Sequence, residues 1–110
     1  MEYRSVYITA GSEAEARAIS RILVTERLAA CANYFPVRSI YRWQGKVEEG
    51  AEFSLIVKTR AELVEQLIAR VKEVHSDRIP CIVAWSIDRG NPKYLDWIAE
   101  STNSATQNNE

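Results

Sequence analysis

Seven side chains in this 110-residue chain are of types that carry chemistry, and they fall into three groups. The first is His75, Cys81 and Cys31. His75 is the only histidine, and Cys81 follows it by six residues. Imidazole and thiolate together are donors for copper or zinc. A metal reading therefore needs His75 and Cys81 on one rim, with Cys31 brought up by the fold. The spacing itself is no metal motif, since neither CxxC nor HxxxH occurs. The competing reading of His75 is structural: it closes a helical segment, where a cation complements the macrodipole. For the cysteines it is two reduced, partly buried thiols.

The second group is Lys58 and Glu52, which share one face of an extended segment. A cation on that face suits a small anionic ligand, and a snorkelling lysine at a strand end is the alternative. Six residues of strand separate the two by ~20 Å, so any pairing between them runs to a neighbouring chain. The third group is Tyr41 and Trp43, beside the turn Gln44-Gly45. Aromatics so placed are ligand-cage or subunit-contact residues, and their polar ends can still reach a partner when the rings are buried.

The elements that position these groups follow from the hydrophobic pattern. Tyr3 to Ala10 predicts a strand, ended by Gly11. Ser12 and Glu15 form a capping box, and Ala14, Ala18, Ile19, Ile22 and Leu23 give the stripe of a helix running to about Arg27. Ala30 to Trp43 predicts a long strand in which Pro36 demands a bulge or an edge position. Lys46 to Lys58 predicts its return. Thr59 and Glu62 repeat the capping pattern before a helix marked by Leu63, Val64, Leu67, Ile68, Val71 and Val74. Cys81 to Ile87 predicts a short strand, and Asn91-Pro92 opens a short last helix. The polar stretch 101–110 reads as a disordered tail behind a single domain, 1–100.

The order β-α-β-β-α-β plus a short helix predicts an α+β, ferredoxin-like sandwich. Right-handed crossovers put both long helices on one face of the sheet. The strands, however, are apolar on both faces: Val6 and Ile8 oppose Tyr3 and Tyr7, and Leu55 opposes Ile56. A second cover is required, and another copy of the chain supplies one.

Composition narrows the function. A net charge of −1 with interspersed signs lacks the basic footprint of a nucleic-acid binder. No apolar run approaches a membrane span, and no apolar segment precedes the first strand, so a cytoplasmic protein is expected. Neither a nucleophile elbow nor a P-loop is present, and Glu13 and Glu15 after the first strand would repel phosphate. A non-catalytic role with no required cofactor follows.

Four stretches, in order, resemble the CutA family: Glu26 to Asn33 around Cys31, Ser39 to Lys46 with its Tyr-x-Trp-x-Gly hairpin, Glu52 with Leu55 to Thr59, and Tyr94 to Ile98 with Ser101. The resemblance implies a tight homotrimer built like the PII signalling proteins, with sheets packed around a threefold axis. It also implies a role in tolerance of divalent cations such as copper, with a ligand site between subunits. One stretch departs from the family. Where His-Pro-Tyr, two variable residues and Pro-Glu are usual, this chain has His75-Ser76-Asp77-Arg78-Ile79-Pro80-Cys81, and Ser86 replaces a later proline. The departure bears on ligand preference, because Cys81 stands where the family has an acid.

Overall fold

The computed structural model describes residues 1–103. The chain runs β1 (Tyr3–Ala10), α1 (Glu13–Thr25), β2 (Cys31–Trp43), β3 (Lys46–Arg60), α2 (Val64–Val74), β4 (Ile82–Ile87) and α3 (Pro92–Ser101), with a 3-10 turn, Ala61–Leu63, ahead of α2. The four strands form one antiparallel sheet in the order β2-β3-β1-β4. This is the predicted ferredoxin-like arrangement.

Both long helices cover the same face. Ala16, Ile19 and Leu23 of α1 and Leu67 and Val71 of α2 bury against Val6, Ile8, Ala10, Leu55 and Val57 of the two central strands. At ~25 cal/mol per Å² of apolar surface this cluster is the main source of stability. α1 starts where the sequence places it: the Ser12 hydroxyl accepts from the Glu15 N–H at 3.1 Å, while Glu15 Oε1 accepts from the Gly11 N–H. α1 closes at Glu26, and Arg27 then takes a positive φ of 60°.

One pair of alternatives is settled and two local expectations are corrected. Pro36 causes no bulge, because the β2–β3 register is continuous from Cys31↔Lys58 to Trp43↔Lys46. The edge position of β2 accommodates it, since an outward-facing proline costs no ladder bond there. Thr59 is not a cap. β3 continues to Arg60 because β1 pairs with it that far, Tyr3 to Arg60, and the Thr59 hydroxyl instead donates to Leu28 O at 2.6 Å. The ordered chain also runs past residue 100. Ser101 is the last residue of α3, and Thr102 is buried; residues 104–110, the rest of the expected tail, lie outside the described residues.

A clasp holds this end in place. Arg60, 5% exposed, donates from Nε to Thr102 Oγ1 at 3.0 Å and from Nη2 to Thr102 O at 2.9 Å. Arg27 Nη2 donates to Glu100 O, and Asn103 donates to the carbonyls of Arg27 and Glu26. α3 thereby packs Ile98 on Tyr3 and Ala30, at one corner of the sheet face that α1 and α2 leave open. The remainder of that face stays uncovered: Phe35, Val83 and Trp85 are exposed beside half-buried Tyr7 and Ile56.

Beyond Pro36 and Phe53, where pairing with β1 ends, β2 and β3 continue alone as a two-stranded ribbon. Its turn has Gln44 at φ 50° and Gly45 at φ 81°, the paired left-handed residues of a tight hairpin. Ile40 is 70% and Val47 62% exposed on it. An isolated ribbon is at best marginally stable in water.

Removing the acceptor in the clasp should show in stability. Thr102→Val leaves the buried Arg60 Nε without its hydroxyl partner, and the expected loss is ~1–3 kcal/mol. Urea unfolding at a fixed protein concentration measures it; an unchanged midpoint would mean that the clasp is dispensable.

Candidate functional site

The hairpin, the centre of the sheet and the loop between α2 and β4 enclose a cavity of about 410 Å³. Tyr41 and Trp43 form its wall on the ribbon side, with Glu52 of β3 and Thr9 of β1 at its base. Asp77, Arg78, Ile79 and Cys81 close the loop side. Strand parity explains the grouping. Odd residues of β2 and β1 and even residues of β3 share the open face, so Tyr41, Trp43, Thr9 and Glu52 all project to one side.

Of the seven residues singled out from sequence, Tyr41, Trp43, Glu52 and Cys81 meet here. Lys58 and Cys31 do not. They are cross-strand partners of each other, opposite Ser5. Thr9, level with the cavity, is four residues further along β1, ~13 Å away. Lys58 Nζ lies 3.5 Å from Asn33 Oδ1, and Cys31 Sγ is 3.3 Å from the Tyr94 hydroxyl. That bond to Cys31, with some burial, pushes the Tyr94 hydroxyl up to about 12.

His75 sits behind the cavity wall, its side chain 0% exposed. It ends α2 as expected, donating its own N–H to Val71 O at 2.9 Å. The ring is not a charge on the helix dipole. Nδ1 accepts from the Asp77 N–H at 3.0 Å, which requires that nitrogen to be unprotonated, so Nε2 carries the hydrogen and donates to Thr9 O at 2.7 Å. Both ring nitrogens are spent, one on β1 and one on the loop. Glu15 completes this latch: its Oε2 accepts from the Ser76 N–H at 2.8 Å and lies 3.9 Å from His75 Nδ1. Burial works to raise the Glu15 carboxyl, but the N–H bonds from Ser76 and Gly11 outweigh it and hold the group below its ordinary value of 4.5.

Thr9, Asp77, Arg78 and Ile79 also line the cavity and are not among those seven. Asp77 and Arg78 carried a signal, two adjacent charges in a loop bounded by His75 and Pro80; Thr9 and Ile79 carried none, because only the folded register brings them to the cavity.

A ferredoxin-like α+β fold with a long β2–β3 hairpin, a short closing helix and a crevice at the hairpin base defines a small PII-like class of proteins. The family model for CutA1 divalent ion tolerance protein matches residues 4–101. The divalent-cation tolerance protein CutA of Thermus thermophilus is 51% identical over 98 residues, covering 88% of this chain and 95% of that one. Its counterpart from Archaeoglobus fulgidus is 47% identical over 96 residues, covering 87% and 94%. The crystal structure of CutA1 from Oryza sativa superposes with a TM-score of 0.93 at 37% identity, covering 96% of this chain and 97% of that one. The chain belongs to the CutA family of divalent-cation tolerance proteins.

The latch makes a prediction about acid. Because the Glu15 carboxyl is lowered on folding, its stabilisation is complete above the unfolded value near 4.5 and is lost as pH falls through the folded one. Glu15→Gln should cost ~1–2 kcal/mol at neutral pH and progressively less under acid. Urea melts of both proteins at neutral pH and near pH 3 test this; a gap that persists or widens at the acid end contradicts the assignment.

Proposed function

We propose that the chain works as a homotrimer serving divalent-cation tolerance, as a binding or regulatory module and not as a catalyst. The observation that carries this reading is the uncovered sheet face. Val83 is 50%, Trp85 49% and Trp43 43% exposed in the single chain, on the face left bare by α1 and α2. Soluble monomers seldom expose a contiguous aromatic and aliphatic surface of this kind. The two free edges of the sheet are different strands, β2 and β4. Unlike edges allow a head-to-tail contact, which makes a ring where its rotation closes.

The cation is cargo in this reading. Among the described residues no group of three or more His, Cys, Asp or Glu side chains is placed closely enough to hold a metal ion. The donors of one chain therefore do not fit a resident metal, and a bound ion draws ligands from two copies. Exposed Cys81 is the softest donor at the crevice and suits copper or zinc. A cytoplasmic setting, where both thiols stay reduced, belongs to the same reading and is supported by the two free cysteines, Cys31 and Cys81. The relative from Archaeoglobus fulgidus whose structure is known is called a periplasmic protein. No helix among the described residues is long and apolar enough to cross a membrane. One observation favours a second reading, a structural trimer that positions partner proteins without metal. It is that His75, the strongest nitrogen donor in the sequence, is sealed into the latch.

Two measurements separate these. Sedimentation at micromolar concentration should give a species of three chains, and Trp43→Ala should weaken it by about 2 kcal/mol. A stable wild-type monomer sinks the trimer. Calorimetric titration with copper should then show binding that weakens in Cys81→Ser, and that weakens as pH falls, because protons compete with the metal for the thiolate. Copper that binds the Cys81→Ser trimer as well as the wild type places the cation elsewhere, and a trimer that binds none leaves the structural reading.

A further inference from the structure

The charges in the cavity do not suit a bare cation. Glu52, Asp77 and Arg78 all line it, and none of the three takes part in an ion pair among the described residues. Two carboxylates and one guanidinium are thus left unspent around a single space of about 410 Å³. A hydrated divalent ion gains from the carboxylates, is repelled by Arg78, and has no use for the rings of Tyr41 and Trp43. An organic molecule of mixed charge uses all of them. A volume of this order lies within the range of small-molecule sites, whose usual make-up is an apolar wall with a few convergent polar groups.

We propose that this cavity binds a free α-amino acid with an apolar or aromatic side chain. The assignment rests on reading the crevice as the binding site of the protein and names the class of its ligand. Arg78 takes the α-carboxylate, because a guanidinium fork matches a carboxylate through two parallel N–H bonds. Glu52 and Asp77 take the α-ammonium, whose three N–H donors can serve two carboxylates at once. The side chain lies against Trp43, Tyr41 and Ile79, where the rings supply contact area and attract the nearby ammonium. The latch sets the geometry. His75 ties Thr9, at the base of the cavity, to the backbone of Asp77 on its rim, so the acidic and basic rim residues are held over the strand face. Asp77 and Cys81, which depart from the family pattern, are two of the four residues that close the loop side.

The test uses the full chain in its native assembly, with L-phenylalanine as probe. Binding is read by calorimetry and by saturation-transfer NMR on the ligand. L-Phenylalanine should bind saturably. 3-Phenylpropanoate, which lacks the ammonium, and phenethylamine, which lacks the carboxylate, should each bind about tenfold or more weakly, as expected for loss of one charged hydrogen-bonding group. Arg78→Met should weaken L-phenylalanine by a similar factor while leaving phenethylamine unchanged. Glu52→Gln should weaken L-phenylalanine while leaving 3-phenylpropanoate unchanged. No saturable binding of L-phenylalanine, L-leucine or L-tryptophan up to ~10 mM overturns the proposal, as does binding that ignores both charged groups of the ligand. The same outcome is expected where a neighbouring copy fills the cavity, and it counts against the proposal equally. Sedimentation and copper titration of the same samples keep the two readings apart: a copper-binding trimer that takes no amino acid overturns this inference alone, whereas a monomer that takes the amino acid overturns the trimer and leaves this site standing.

Discussion

Handedness is the constraint from which the rest follows. β-α-β connections turn to the right as a rule, which sends α1 and α2 to the same side of the sheet. They bury Val6, Ile8, Leu55 and Val57 and leave the opposite residues of the same strands bare. α3 reaches only the corner at Tyr3 and Ala30. Everything distinctive about the molecule sits on the bare side: the stacked pair Tyr7 and Trp85, the crevice with its charges, and the ribbon that overhangs it. A sheet with one dry face and one bare face gathers its exposed apolar surface and its unpaired charges on the bare side.

The fold was largely legible because its signals are periodic. Alternation in β1 and β3 and the helical stripes of α1 and α2 name their own elements. The Ser12 cap, the Gln44-Gly45 turn and the Asn91-Pro92 start are each made by the residues that announce them, Asn91 accepting from the Lys93 N–H at 3.1 Å. Thr59 was misread for a physical reason. Its sequence context is that of a cap, but pairing with β1 extends β3 to Arg60, and a tertiary ladder outranks a local capping preference.

The site was half legible. Tyr41, Trp43, Glu52 and Cys81 stand out by residue type, and the β2–β3 register together with the loop before β4 brings them to one cavity. His75 shows the limit of reading by type. An imidazole in sequence carries no sign of whether its nitrogens face a ligand or the backbone, and here the partners are Thr9, 66 residues away, and Asp77, two residues on. Lys58 and Glu52 were correctly held apart by strand length alone, since the rise per residue is fixed by covalent geometry.

The strand order also has a kinetic side. β1 is central, yet it precedes both of its partners in the chain; Tyr7 meets Ser54 across 47 residues. The hairpin of β2 and β3, closed by a two-residue turn, is local and forms on a timescale of about 1–10 μs. β1 pairs β3 on one edge and β4 on the other, so both of its edges wait for segments far along the chain. The local hairpin can therefore form before the strand that anchors the core is paired. During that interval β1, apolar and with both edges unpaired, is the segment most exposed to aggregation.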